Sequence, residues 1–321
     1  MRAIVGLLAG VGLALLGWLV LVLGQTGQAT PSVQWVRQSY SFKNAQAQAL
    51  TAPKLVVVAG SNALFGIDSG LLEAAYGRPV VNQGVNAGLG LPYILEQGQQ
   101  VLKAGDVALL PLEYPLFNYD FETNGVMVDY YFAEPGRVRA QPWRLQLALF
   151  RDISLARVFE GYRGVPADFR VGGLYGVQNM DARGDQLRSG VELRTAGMLA
   201  MLQGLPPSLY GGDFSAANEA WQLLARFNRW AQAQGVCAIF VPATMLLHPR
   251  YVEDAQEARF YRRLPEQARA VGLRYLGQPY DFMYAPEQYF DTNYHLVAQA
   301  RTVHTQRLIE LLGPTLGQHC R

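Results

Sequence analysis

The chain is predicted to fold as an α/β domain built on a doubly wound parallel sheet, behind an N-terminal membrane-spanning helix. Three observations carry that expectation. Residues 3–24 form an uncharged apolar run, strand and helix patterns alternate from Lys54 to Leu112, and the alternation resumes at Ser215 after a stretch that lacks it.

The apolar run follows Met1-Arg2 and holds no charged or strongly polar side chain up to Gly24. Such a run is long enough to cross a bilayer as a helix, and it exceeds the roughly 7–15 apolar residues of an ordinary signal peptide. An uncleaved anchor over residues 1–24 is therefore expected, with Gly27-Gln28-Ala29 as the small-x-small alternative for cleavage. Arg2 before the run, and Arg37 and Lys43 well after it, give a thin orientation signal. Cleaved or not, the run delivers residues 30–321 to the far side of the membrane.

Residues 25–53 are polar and read as a linker, a tether with one short helix or irregular segment. The globular domain is expected over 54–321. Lys54–Gly60 is a β-branched run ending in glycine, which fits a buried parallel strand. Asp68 can cap a helix that stops at Gly77. Pro79–Asn82 reads as a second strand, Pro92–Lys103 as a helix and Val107–Leu112 as a third strand. Residues 115–215 are rich in Tyr, Phe, Gly, Arg and Pro without clean periodicity, and are expected to form a long insertion covering the carboxyl end of the sheet. A helix through Trp221, Leu224, Phe227 and Trp230 follows, then a strand at Val236–Val241 and a helix over about 257–271. A short strand at Arg274–Leu276 and a final helix over about 296–312 complete the pattern.

Composition excludes some classes. Half of the residues are hydrophobic, 16% are charged and the formal net charge is +2, so the chain is neither disordered nor a nucleic-acid arm. Its basic residues are scattered, without the stripe that a phosphate backbone needs. Cys237 lies in an apolar run and reads as a buried small hydrophobe, while Cys320 is on the tail. A disulfide between them would need an oxidising compartment and a reach from strand to terminus. No metal-ligand spacing occurs, and no metal or organic cofactor is implied.

Ligands of open α/β sheets meet the carboxyl ends of the strands, and three features fall there. Gly60-Ser61-Asn62 follows the first strand at a sharp turn, where a serine can expose its hydroxyl; a plain helix cap explains it equally. Asn82–Gly88 follows the second strand, and its glycines allow close backbone approach. Asp291 and His295 stand before the last helix. A carboxylate there can orient the imidazole and leave its other nitrogen as a base, although a capping Asp291 and an ordinary surface His295 is the plainer reading.

Together, Gly-Ser after strand one, the Asn/Gly loop after strand two and Asp…His before the last helix resemble the SGNH/GDSL hydrolase superfamily. The nearest flavour is its membrane-anchored bacterial branch of DltD-like and AlgX/AlgJ-like polysaccharide O-acetylation proteins. The resemblance covers roughly residues 54–112 and 215–312. It implies a flavodoxin-like sheet, Ser61 as nucleophile, His295 as general base and then acid, and Asp291 as the orienting carboxylate. It places part of the oxyanion hole on the Ser61 N–H and the 84–88 loop, with Gly84, Asn86 and Ala87 as candidates. Two departures stand out. The family's Asp-x-x-His is one residue longer here, and its Gly-x-Asn-Asp after the third strand is replaced by Leu112-Glu113-Tyr114. Glu113 can donate to an oxyanion only if burial keeps it protonated; otherwise it is a structural carboxylate. Tyr114 joins Phe117, Tyr119, Tyr130, Tyr131 and Phe132 in an aromatic stretch that either stacks on sugar rings or packs the insertion. His248 follows a strand and is an ordinary loop candidate; His304 and His319 read as solvated, and Asp68 as a cap.

The expected function is an extracytoplasmic serine esterase or O-acyltransferase at a bacterial inner membrane. Its partners would be an exopolysaccharide or other acylated envelope polymer, the membrane through residues 3–24, and a membrane acyltransferase. The alternative is a non-catalytic accessory protein with the same fold, favoured by the missing asparagine.

Overall fold

The computed structural model describes residues 1–314 and 316–319. Along the chain run α1 (Arg2–Gly24), α2 (Gln34–Ala49), β1 (Leu55–Val57), α3 (Ser61–Gly66), α4 (Ser69–Tyr76), β2 (Val80–Asn82), α5 (Leu91–Val101) and β3 (Val107–Leu110). Then come α6 (Gly125–Ala133), α7 (Arg137–Ala140), α8 (Trp143–Asp152), α9 (Leu155–Arg163) and α10 (Ala196–Gln203). The last elements are α11 (Glu219–Ala233), β4 (Cys237–Phe240), α12 (Arg250–Glu253), α13 (Ala255–Ala270) and α14 (Ala298–Leu312). Contacts divide the chain into two units, one of Met1–Trp35 with Phe121–Val171 and one of Val36–Asp120 with the chain from Gly172 onward.

The larger unit holds a four-stranded parallel sheet in the order β2-β1-β3-β4. Val56 pairs with Val81 on one side and Ala108 on the other, and Leu110 pairs with Phe240. The order starts as flavodoxin-like sheets do, so the direction of strand addition reverses at β1, and the carboxyl ends of β1 and β3 are the place where open α/β sheets of this order take ligands. The expected strand at 274–276 is reduced to one parallel bridge between Tyr275 and Phe240. Leu55, Val56 and Val57 are wholly buried, as a central parallel strand covered by helices on both faces requires. At the opposite, amino-terminal edge Lys54 and Asp106 form a buried ion pair at 2.5 Å, which joins the starts of β1 and β3.

Helix boundaries follow local chemistry. The Asp68 carboxylate accepts the Leu71 N–H at 3.1 Å, and Gly77 ends α4 in the left-handed region at φ 61°. Asp254 accepts the N–H groups of Gln256 and Glu257 and starts α13. Two expectations change here. The linker carries the sixteen-residue α2, whose Val36, Tyr40, Lys43 and Ala47 are buried. Residues 115–215 do not stay together: 121–171 belong to the unit of α1, and the remainder to the sheet unit. The aromatic stretch is core, since Phe117, Tyr130, Tyr131 and Phe132 are buried and none presents a face to a sugar. Cys237 is half-buried and is not a free thiol, while Cys320 and the side chain of His319 lie outside the described residues.

In the smaller unit α1 is long and apolar enough to cross a membrane. Its exposed leucines and valines contrast with Val22, the only buried residue of the helix. After α1, Gln25 and Gln28 meet Arg157 of α9. The guanidinium donates to Gln25 Oε1 at 2.6 Å and to the Gln28 carbonyl at 2.9 Å, and its Nε pairs with Asp129 at 2.5 Å.

Candidate active site

The site begins where β1 ends. Gly60 leads into α3 and Ser61 is the first residue of that helix, half-exposed, with Asn62 to Gly66 buried behind it. Glu113, at the carboxyl end of β3, is buried and reaches across to this turn. Its Oε2 accepts the Gly60 N–H at 3.0 Å and its Oε1 the Asn62 N–H at 2.9 Å. Asn62 Nδ2 donates to the Pro111 carbonyl at 2.8 Å, a second tie between the two strand ends. Burial pushes the Glu113 carboxyl above its ordinary range, opposed by the hydrogen bonds from Asn62 and Gly60. Both oxygens accept from the main chain, and in its ionised form Glu113 has no proton to give an oxyanion. It is a clamp on the two peptide groups beside Ser61.

The loop after β2 packs on the same turn. A methyl group built on Gly60 would lie 2.5 Å from Ala87 N and 2.4 Å from Glu113 Oε1, so only glycine fits between them. The Ala87 and Ser61 N–H groups have no protein acceptor among the described residues, and they are the main-chain donors beside the serine. Gly84 is a correction: its N–H is taken by Asn82 Oδ1 at 2.9 Å, and its carbonyl accepts Lys43 Nζ at 2.6 Å. Asn86 Oδ1 accepts the Gly88 N–H at 2.8 Å, which leaves its Nδ2 amide as the group able to reach a substrate. Tyr114 is also corrected. It is wholly buried against Tyr261 and Phe260, its hydroxyl donates to the Ala243 carbonyl at 3.0 Å, and nothing of it faces solvent.

His295 and Asp291 meet through a closed turn. Phe290 N–H donates to the His295 carbonyl at 2.7 Å and Tyr289 bridges Leu296, so residues 291–294 loop out and return. This turn, not a helix, absorbs the four-residue spacing and brings Asp291 Oδ1 within 2.7 Å of His295 Nδ1. Asp291 Oδ2 accepts the Tyr175 hydroxyl at 2.8 Å. Burial alone would raise the Asp291 carboxyl, but the hydrogen bond and charge of His295, with the Tyr175 hydroxyl, hold it below the usual carboxylate range. The imidazole is buried and lies flat on the Phe65 ring, with centroids 4.1 Å apart and planes 5° from parallel. Phe65 is one helical turn after Ser61 on the same face of α3. Ser61 and the ring on which the imidazole rests are therefore one turn apart on α3, without a hydrogen bond between Ser61 and His295. With Nδ1 committed to Asp291, Nε2 is the nitrogen left to act as a base.

Phe65, Tyr175 and Lys43 escaped the sequence reading. Phe65 could have been found, because Ser61 and Phe65 are four apart at the start of a helix. Tyr175 lies in a stretch without periodicity, and Lys43 in the supposed linker. Lys43 is buried beneath the 84–88 loop, held by the Gly84 and Gly184 carbonyls at 2.6 and 2.8 Å. Burial lowers it to about 7, opposed by the charges of Asp185 and Asp181. The other histidines separate. His248 Nδ1 accepts the Arg250 N–H at 3.1 Å in a loop, whereas His304 is buried against Phe282 and Tyr284, contrary to its reading as solvated. A cavity of about 510 Å³, lined by Leu174, Gln178, Arg188, Met198 and Phe290 among others, borders Asp291 through Phe290 but does not include Ser61. Among the described residues no group of three His, Cys, Asp or Glu side chains is arranged to hold a metal. No protein-family model and no curated protein matches the sequence.

Proposed function

We propose that this chain is a serine esterase or O-acyltransferase of SGNH/GDSL type, anchored in a bacterial inner membrane by α1 and acting on an acylated exopolysaccharide or envelope polymer in the periplasm. The observation that carries the chemistry is the Asp291–His295 hydrogen bond of 2.7 Å, on an imidazole stacked one helical turn from Ser61. In this reading His295 Nε2 takes the Ser61 proton as Oγ attacks the ester carbonyl. The Ser61 and Ala87 N–H groups stabilise the oxyanion. Collapse breaks the bond to the leaving alkoxide, which takes the proton from His295, and an acyl-serine remains. A water or a sugar hydroxyl then repeats the sequence in reverse; which of them is admitted decides between hydrolysis and transfer. The export reading rests on the length and apolar composition of α1.

The test is labelling of the full chain in detergent by a fluorophosphonate, together with acetate release from simple acetyl esters. Ser61→Ala abolishes both in this reading, and Asp291→Asn lowers turnover by roughly 10³–10⁴, the scale seen when an orienting carboxylate is lost. Labelling and turnover that survive Ser61→Ala reject the nucleophile. One observation favours the second reading, a non-catalytic polymer-binding or scaffold protein: Glu113 presents acceptors where a side-chain oxyanion donor is expected. That reading is supported if the wild-type chain takes up no label.

A further inference from the structure

The smaller unit presents apolar side chains to solvent on helices that already have a buried apolar face. On α8, Leu145, Ala148 and Leu149 are buried, yet Trp143 is 67% and Leu147 59% exposed, four residues apart on one stripe. On α9, Val158 and Gly161 are buried, while Leu155, Phe159 and Tyr162 are 55%, 55% and 52% exposed at the i, i+4, i+7 spacing of another single stripe. A water-facing stripe on a surface helix is ordinarily polar, and five large apolar groups on adjacent helices mark a covered surface. The patch is tied to the end of α1. The Tyr162 hydroxyl donates to the Leu21 carbonyl at 3.0 Å and sits where a methyl group on Gly24 would fall, at 2.2 Å. Arg157 of the same helix grips Gln25 and Gln28 just beyond.

We infer that α8 and α9 form an interfacial platform that lies in the lipid headgroup region of the leaflet from which α1 emerges. The inference rests on the reading of α1 as a bilayer anchor. If α1 spans the hydrocarbon, Leu21–Gly24 mark its boundary, and Tyr162, bonded to them, is held at that depth. Leu155 is about 10 Å along α9 from Tyr162, so the whole stripe stays at that depth when α9 lies in the plane of the interface, as amphipathic surface helices do. The side-chain chemistry suits this occupant: Trp and Tyr favour the interface, and arginines extend their charged ends to phosphates while their stems cover apolar surface. Arg144 beside Trp143 and Arg163 beside Tyr162 are exposed and have no acidic partner among the described residues, with the Arg144 guanidinium 5.7 Å from the Trp143 ring centroid. A second copy of the chain or another protein would not need to sit at the depth where α1 ends.

The full chain, reconstituted in vesicles of phosphatidylcholine and phosphatidylglycerol, carries one introduced cysteine at a time with an environment-sensitive fluorophore. The sites are Val11→Cys in the middle of α1, and Leu147→Cys and Phe159→Cys on the platform. Lipids brominated in the acyl chain should quench the probe at 11, and lipids spin-labelled at the headgroup should quench those at 147 and 159, each losing most of its emission. Quenching at 11 with none at 147 and 159 overturns the platform and leaves the anchor intact. No quenching at 11 overturns the anchor itself. Probes at 147 and 159 shielded from aqueous iodide only when the chain dimerises would assign the patch to a second copy and overturn the lipid assignment.

Discussion

The imidazole of His295 lies on the ring of Phe65 with their centroids 4.1 Å apart, and Phe65 in turn is rooted on the short helix that Ser61 begins. A base held only by its carboxylate can still rotate about that hydrogen bond; a flat stacking partner on the nucleophile's own helix removes this freedom. On the proposed reading, the alignment of base and nucleophile thus depends on a residue with no chemistry of its own.

Phe65→Ala tests this. Phe65 is wholly buried, and the cavity should cost about 3–5 kcal/mol in urea unfolding. The telling readout is fluorophosphonate labelling of the folded fraction at saturating stability, for example in stabilising osmolyte. The labelling rate should drop there too, because the imidazole has lost its support. A rate equal to wild type once folding is restored would reduce Phe65 to a packing residue.

Glu113→Gln offers one acceptor oxygen where the carboxylate offers two, so either the Gly60 or the Asn62 N–H is left unpaired. A stability loss of about 1–3 kcal/mol is expected for an unpaired buried donor. The pH dependence gives a second check. Burial raises the folded carboxyl above the value of 4.5, so just above that pH the folded chain binds more proton than the unfolded one. Wild-type stability falls on this group's account as pH climbs through that window, and its margin over the glutamine variant should narrow. Chemical denaturation across a pH series reads both effects.

Lys43→Met removes the donor shared by the Gly84 and Gly184 carbonyls. Each orphaned carbonyl costs about 1–3 kcal/mol, and the 84–88 loop should loosen, seen as faster hydrogen exchange of its buried amides. Because burial lowers the ammonium to about 7 from 10.5, the unfolded chain binds more proton between those values. Wild-type stability should therefore gain from this group as pH rises from 7 to 10.5, and the methionine variant should lack that gain. A matching slope in both proteins would contradict the assignment.

His304 is the acid-side counterpart. Buried among Phe282 and Tyr284 with Nε2 unbonded, it is pushed down to about 3 from 6.5 by loss of solvation, with the nearby Arg307 charge adding to the effect. As pH falls through that interval the unfolded chain takes up a proton that the folded chain refuses, at about 1.4 kcal/mol of stability per pH unit. In His304→Phe this component should vanish. Thermal unfolding midpoints at pH 6.5 and pH 4.5 suffice: the drop between them should be smaller in the variant.

The elements that sequence reading located were those with strong local reasons. The β-branched run at Leu55–Val57, the Asp68 cap, the left-handed Gly77 and the Asp291–His295 pair all stand where expected. What it missed depended on contacts distant in sequence. Nothing local marks Lys43 as a buried prop, since the carbonyls that hold it are 41 and 141 residues away. Glu113 reads equally as donor or acceptor until its neighbours are known, and only the fold supplies the two N–H groups that decide. Gly84 looked available because a glycine-rich loop does not announce that Asn82 folds back on it. Within the aperiodic stretch, residues 121–171 belong to the unit of Met1–Trp35, where Arg157 and Tyr162 bond to Gln25, Gln28 and Leu21, contacts that no local pattern announces.

The crowding at Gly60 has a further bearing on how such a site can drift. Any larger residue there must displace either the carboxylate behind the turn or the peptide of Ala87 in front of it, so on the proposed reading a single methyl group would stop ester turnover while Ser61, His295 and Asp291 stayed in place. Inactivation along a lineage would then leave its trace in the spacer beside the serine, and an intact trio of polar groups would say little about whether a descendant still turns over ester.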